Sequence, residues 1–273
     1  ILQDGATEKA KELNISLSLQ GLLDSNPEAE LNLCNTALLR KPAALIFASV
    51  NQSNLSACLR RAHAMGIALV DVDGNFGQSD AEKIGVRLQF SVASNNYDLG
   101  KMAALYLQGM EGKVLVIEGL SGSMPARLRE QGFRENLPPA LRIVASLPGD
   151  WDRLKAAEIT NSVMLTNPDL RTIFAANDTM ALGAAEALRA RNVQGVTVIG
   201  IDAITDAVQA IRAGRLTASV AQLPYLMGAQ VVEKTTRMLR DHVQFDLNQY
   251  VPIVAIDRNV LEKNKEPLLS YVR

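Results

Sequence analysis

Strand-like and helix-like segments alternate along almost the whole chain, and no other feature constrains its fold as strongly. Apolar runs of strand length occur at 16–22, 43–48, 68–73, 113–117, 142–147, 172–176, 196–201 and 217–220. Between them lie helical periodicities at 27–39, 55–65, 99–107, 125–136, 154–165, 179–189, 205–213 and 226–239. The chain opens on most of a helix, running through Leu13, with Leu2, Ala6, Ala10 and Leu13 on one face. Such alternation predicts βαβ units and parallel sheets, with right-handed crossovers placing helices on both faces. The core material agrees: aromatic residues are only 4% of the chain, and Ala, Leu, Val and Ile fill the strands, as suits sheets buried on both sides. One sheet using all these strands would be large, so two sheets, each covered by helices, suit 273 residues better.

Local signals support the segmentation. Ser25-Asn26-Pro27 and Asp178-Thr179 stand where helices begin, and Gly66, Gly195 and Gly214 where they end. The polar segment 73–84 reads as a long loop. A doubly wound domain normally opens with a strand. The expectation is therefore that a strand, and any signal peptide, precedes Ile1, so that the first strand is absent from this sequence.

Several function classes recede. Net charge is −1 and the basic residues are scattered, whereas a nucleic-acid surface shows a basic stripe. No apolar run approaches the ~20 residues that cross a bilayer. The two histidines, His63 and His242, lie in separate helical patterns and read as surface or packing residues. Gly119-Leu120-Ser121-Gly122-Ser123 has the wrong spacing for a nucleophile elbow, and no phosphate-binding glycine loop occurs. Asp73 and Asp202 could form a carboxylate pair, yet nothing in the sequence raises the pKa of either as glycoside hydrolysis requires. Cys34 and Cys58 fit no metal-ligand spacing. They read as two small buried residues on neighbouring helices, with a disulfide left open. No enzyme activity, metal or cofactor is expected.

What stands out is a set of polar residues where apolar runs stop. In open α/β sheets that edge borders the ligand crevice. Asp73, Asn177, Asp202 and Gln222 each follow such a run, and they supply acceptors and amides suited to hydroxyl groups. Asp178, next in line, reads as a helix cap. Arg127 begins a helix and offers a planar fork of donors for adjacent hydroxyls, while Arg129, two residues on, projects elsewhere and reads as structural. Trp151, the only tryptophan, sits between Asp150 and Asp152 at a helix mouth, a poor place for a core residue and a good one for stacking on a sugar ring.

The phrases around these residues keep a fixed order: Ala126-Arg127-Leu128-Arg129-Glu130-Gln131-Gly132-Phe133, Asp150-Trp151-Asp152-Arg153-Leu154-Lys155, Ala175-Ala176-Asn177-Asp178-Thr179-Met180-Ala181-Leu182-Gly183, Gly200-Ile201-Asp202, and Ala221-Gln222-Leu223-Pro224. In order and wording they resemble the type I periplasmic binding proteins for ribose and allose, from Asp4 to about Val254. The resemblance implies two doubly wound lobes joined by a three-segment hinge, 1–93 plus 223–251 and 94–222 plus 252–273, with a ligand cleft that closes by hinge motion. It implies that Asp73, Arg127, Trp151, Asn177, Asp202 and Gln222 contact the ligand. It further implies a periplasmic monomer that carries a monosaccharide or polyol to the membrane permease of an ABC importer. Three departures matter. Gly74 stands where the ribose type has arginine, Ala48 where it has asparagine, and Trp151 where it has phenylalanine. They point toward a hexose, a pentose or an acyclic polyol. The same fold also serves as the effector domain of lac-repressor-type regulators, which add a helix-turn-helix, and as periplasmic sugar sensor domains.

Overall fold

The computed structural model describes residues 1–22, 26–49, 53–74 and 76–272, so Ser25 and Asn75 lie outside the described residues. Its two compact units are Ile1–Ser94 with Pro224–Val251, and Asn95–Leu223 with Pro252–Arg273. The chain thus passes between units three times.

The first unit opens with α1 (Leu2–Glu12), α2 (Pro27–Leu38), β1 (Ala44–Phe47), α3 (Ser56–Ala64), β2 (Ala68–Val72), α4 (Gln78–Lys83) and β3 (Leu88–Ala93). The second follows with α5 (Asn96–Tyr106), β4 (Gly112–Glu118), α6 (Met124–Glu135), β5 (Leu141–Pro148), α7 (Arg153–Thr166), β6 (Leu170–Ala175), α8 (Asp178–Ala190), β7 (Thr197–Asp202), α9 (Thr205–Arg212) and β8 (Ala218–Ala221). The chain then returns to the first unit with α10 (Pro224–Asp241) and β9 (Asn248–Tyr250), and ends in the second with β10 (Val254–Asp257) and α11 (Arg258–Lys263). Strand order is β1-β2-β3-β9 in the first sheet, all parallel, and β10-β8-β7-β6-β4-β5 in the second, where only β10 runs antiparallel.

The sheet of the first unit is buried on both faces for a legible reason. Val70 and Val72 of β2 pack with Phe90 and Val92 of β3 against Ala6, Ala10, Met227 and Val231 of α1 and α10. Leu69, on the opposite face, joins Phe47, Leu59, Phe76 and Leu88. In the second unit Val114, Val116, Phe174, Ile199 and Ile201 meet Leu99, Ala103 and Phe133 of α5 and α6. Polar side chains start the helices. Asn26 accepts from the amides of Glu28 and Ala29 ahead of α2, Asn95 from Tyr97 and Asp98 ahead of α5, and Asp152 from Lys155 ahead of α7.

Four sequence expectations change. The run 16–22 forms no strand and pairs with none among the described residues. Ile15 and Leu17 only rest on the α1/α10 core, and an apolar run without a ladder partner is not a strand. The loop 73–84 contains α4. A strand that no continuous apolar run marked, β3, occupies the middle of the first sheet, because Gln89 and Ser91 interrupt a run whose Leu88, Phe90 and Val92 still alternate. Finally, Cys34 and Cys58 are joined in a disulfide linking α2 to α3. Their helices pack side by side, which brings two buried thiols within bonding reach.

Candidate functional site

The second sheet reverses its strand order at β4, which lies between β5 and β6. The carboxyl ends of strands at such a switch point border the crevice of an open α/β sheet. Gly119 follows β4, Trp151 follows β5, Asn177 follows β6, Asp202 ends β7 and Gln222 follows β8. The topology thus delivers four of the six candidate residues to one end of one sheet.

Arg129 ties that end together. Its side chain is buried, donates from Nε to Asn96 Oδ1 at 2.9 Å and from Nη1 to the Ala176 carbonyl at 2.7 Å, and pairs with Asp202 Oδ1 at 3.2 Å. Gln222 Nε2 donates to the same Oδ1 at 2.7 Å. The guanidinium carbon lies 5.8 Å from the centroid of the Trp151 ring. Asp202 Oδ2, Arg129 Nη2 and Asn177 Nδ2 have no protein partner among the described residues. The cluster therefore keeps one acceptor and two donors unused.

Arg127 does not join it. Its side chain is exposed and turned back on its own helix, with Nη2 2.7 Å from Met124 Sδ. The reason is helical geometry: residues two apart on α6 point to nearly opposite faces, so only one of the two arginines can face the sheet. The structure turns Arg129 inward, correcting the reading of Arg129 as a residue that projects away. Nothing in residue type separates the pair. The position of buried Phe133, one turn beyond Arg129 at i+4, is the signal that marks the inward face.

Trp151 is seated by backbone and by glycine. Asp150 and Trp151 are consecutive left-handed residues, φ 52° and 62°, a costly conformation for side-chain-bearing residues. A Cβ on Gly119 would lie 2.1 Å from Trp151 Cη2, so the indole lies directly on that glycine. Asp150 is bonded to Lys155 Nζ, which fixes the turn from outside.

Asn177 caps α8, its Oδ1 accepting from the Met180 amide at 2.9 Å. Asp178, expected to be the cap, is instead fully buried. It accepts from Ser219 Oγ at 2.7 Å and from the Ile204 amide at 2.9 Å, bracing β8 and the turn after β7. The fit is close, since a Cβ on Gly200 would lie 2.1 Å from Asp178 Oδ1. Burial, with the Asp202 charge adding to it, raises the Asp178 pKa well above the carboxylate range. Burial also raises that of Asp202, while Arg129 and the Gln222 hydrogen bond pull it down. Asp202 has φ 118° and the following Ala203 φ 54°.

Asp73, in the first unit, follows β2 in a left-handed turn, φ 77°, with its amide bonded to the Val92 carbonyl at 2.9 Å. Its side chain is exposed, as is Ala48 at the end of β1. Ten non-glycine residues have positive φ among the described ones, and three of them are the candidates Asp73, Trp151 and Asp202. Strain of this kind gathers at binding sites, where surrounding structure holds it in place. Among the described residues no group of three or more His, Cys, Asp or Glu side chains is placed to hold a metal, and no helix is long and apolar enough to cross a membrane.

Residues 1–242 match the model of the periplasmic binding protein domain. The D-allose-binding periplasmic protein of Escherichia coli K12 is 32% identical over 236 residues, 84% of this chain and 76% of that protein. The ribose import binding protein of the same organism is 30% identical over 245 residues, 88% and 79% of the two chains. The crystal structure of an ABC transporter periplasmic solute-binding protein from Actinobacillus succinogenes, with bound D-allose, superposes with a TM-score of 0.84 at 27% identity, covering 96% of this chain and 93% of that one. The chain belongs to the periplasmic binding protein family, and its two parallel-sheet units have the type I architecture.

Proposed function

We propose that this chain captures a monosaccharide or related polyol and delivers it to the permease of an ABC importer. The observation that carries the reading is the Arg129–Asp202–Gln222 cluster beside Trp151, with Asp202 Oδ2, Arg129 Nη2 and Asn177 Nδ2 still unused. An acceptor carboxylate, a forked donor and an amide suit vicinal hydroxyls, and an indole face suits the apolar face of a pyranose. In our reading Arg129 takes the role first given to Arg127. Trp151, Asn177, Asp202, Gln222 and Asp73 keep theirs. The chemistry asked of these groups is recognition, so we propose no catalytic role for them and no cofactor.

The relatives bind D-allose, ribose and D-apiose by name, and solved neighbours hold D-allose, D-tagatopyranose and glycerol. We infer a ligand from this group of small polyhydroxylated molecules. The Cys34–Cys58 disulfide favours an oxidising compartment, which supports a periplasmic binding protein over a cytosolic regulator. A thermal-shift panel of D-allose, D-ribose, D-apiose, D-tagatose and glycerol tests the reading. A cognate sugar at about 100 times its Kd stabilises the fold by ~2.7 kcal/mol. No shift with any saccharide or polyol at millimolar concentration overturns the proposal.

A further inference from the structure

α5 in the second unit and α10 in the first each begin just past a point where the chain passes from one unit to the other. Each grips a neighbouring helix of its own unit, and the register is the same. A Cβ on Gly100 of α5 would lie 1.8 Å from the Arg129 carbonyl oxygen, and one on Gly132 of α6 2.0 Å from that of Tyr97. In the first unit a Cβ on Gly228 of α10 would lie 2.0 Å from the Leu2 carbonyl oxygen, and one on Gly5 of α1 2.0 Å from that of Tyr225. The tyrosines match as well: Tyr97 Oη donates to Glu135 Oε2 at 2.8 Å, and Tyr225 Oη to Glu8 Oε2. Both helix pairs thus close backbone to backbone on two glycines.

The first unit therefore serves as an internal control for the second. Where α10 starts with Pro224, a residue suited to the first helical position, α5 starts with Asn96. Where α1 rests Leu2 on an apolar core, α6 places Arg129. The helix crossing forms with an apolar residue in each place, so packing does not account for the Asn96–Arg129 pair. Capping does not account for Asn96 either, because Asn95 already accepts from the Tyr97 and Asp98 amides.

The guanidinium shows what the pair does. Its N–H bonds lie in one plane. Nε donates to Asn96 Oδ1 at 2.9 Å, and Nη1 to the Ala176 carbonyl at 2.7 Å and to Asp202 Oδ1 at 3.2 Å. Arginine grips a planar partner through two parallel N–H bonds, from Nε with Nη2 or from Nη1 with Nη2. Here Nε and Nη1 are both taken, so Nη2 alone remains for a ligand. The Nη1 bonds hold one corner of the group, and the Asn96 bond holds another.

We propose that Asn96 is a positioning residue for ligand binding: by holding Nε it fixes the guanidinium plane of Arg129, so that Nη2 meets a ligand hydroxyl from a single direction. The inference rests on the reading of Arg129 as a sugar contact. Without the Asn96 acceptor the guanidinium would pivot on its Nη1 bonds, and binding would have to order it. With that acceptor, Nη2 is in place before the ligand arrives. The guanidinium carbon also lies 5.8 Å from the Trp151 ring centroid, so a loosened Arg129 has an optical signature in the sole tryptophan.

The test compares Asn96→Ala, which removes the acceptor, with Asn96→Asp, which keeps one for Nε. The ligand is whichever sugar of the thermal-shift panel raises the melting temperature most. Titration calorimetry gives Kd at a temperature where urea unfolding shows each variant folded. Asn96→Ala should raise Kd about tenfold and shift the Trp151 emission without ligand, and Asn96→Asp should recover most of both. In an Arg129→Ala background, Asn96→Ala should leave Kd unchanged, because the group it positions is gone. A purely structural Asn96 would lower the unfolding midpoint and leave Kd and emission at their parent values. That result, or an equal rise in Kd with and without Arg129, overturns the proposal and leaves the reading of Arg129 standing. Arg129→Ala with unchanged Kd overturns both.

Discussion

Replacing Arg129 and Arg127 separately by alanine separates the two arginines that the sequence offers. Arg129→Ala removes donors from Asn96 Oδ1, the Ala176 carbonyl and Asp202 Oδ1. The Ala176 carbonyl is buried, and leaving such an acceptor unpaired costs ~1–3 kcal/mol. Asp202 also loses its counter-charge. Breaking a buried ion pair costs ~3–5 kcal/mol, but the Asp202 side chain is 25% exposed and burial already raises its pKa, so the low end applies. The variant should therefore lose about 3 kcal/mol of stability. If Arg129 also gives the sugar one charge-assisted hydrogen bond, worth ~1.5–3 kcal/mol, Kd should rise about 10- to 100-fold. Arg127→Ala removes an exposed side chain resting on Met124 and should change stability by no more than ~0.5 kcal/mol, with Kd within about twofold. Urea unfolding gives the stabilities, and titration calorimetry at low temperature, where both variants stay folded, gives the affinities. Arg129→Ala combined with Asp202→Asn should recover part of the lost stability, since the stranded charge is gone, and none of the lost affinity. Arg127→Ala weakening the sugar more than Arg129→Ala, with both proteins folded, would refute the reasoning.

Other outcomes follow from the same structure. Gly119→Ala places a methyl 2.1 Å from Trp151 Cη2. It should displace the ring, weaken sugar binding by at least about tenfold, and shift the emission of this sole tryptophan without ligand; unchanged fluorescence and Kd would contradict the seating. Cys34→Ser with Cys58→Ser opens a link of sequence separation 24 and should cost about 3 kcal/mol in chemical unfolding, the loss that reduction of the parent should reproduce. Asp71 and Asp178 have raised folded-state pKa values. The folded state therefore keeps protons that the unfolded state has released: for Asp71 the stabilisation is full below the unfolded pKa of about 4 and is lost as pH rises through about 7, and for Asp178 it is lost in the same direction. Asp71→Asn should flatten that fall and gain about 2–4 kcal/mol at pH 8 relative to parent, with no gain near pH 4; equal gain at both would exclude titration as the cause.

The parallel sheets were legible because most of their strands are continuous aliphatic runs between amphipathic helices. β3 escaped that reading although it is central. Its Gln89 and Ser91 interrupt the run, and Ser91 is where the partner strand places Asp71. A polar pair inside a sheet looks like a loop signal until the register is known. The two short strands β9 and β10, three and four residues long, escaped for a different reason: they exist only because β3 and β8 offer open edges. The cysteines illustrate the same limit. Helical periodicity could bury Cys34 and Cys58, but whether two buried thiols meet depends on how α2 and α3 pack.

The site was legible as a set of strand ends and illegible as a set of side-chain directions. Asn177, Asp202, Gln222 and Trp151 could be placed at strand ends because the end of a parallel strand is a position, and position is what periodicity gives. The inward direction of Arg129 was not legible because choosing between two arginines on α6 requires the helix phase relative to the sheet. The left-handed conformations of Asp73, Trp151 and Asp202 are further still from the sequence, since propensity argues against each at a cost of ~1–3 kcal/mol. That cost is borne by the layers beneath. Asp178 braces the turn at Ala203 and Ile204 through Ser219 and the Ile204 amide, and the Val92 carbonyl holds the Asp73 amide. A site assembled this way is shaped before any ligand arrives, so its residues give up little further freedom on binding. Asp178, the buried group that holds the turn after β7, thereby shapes the strand ends that carry the candidate residues.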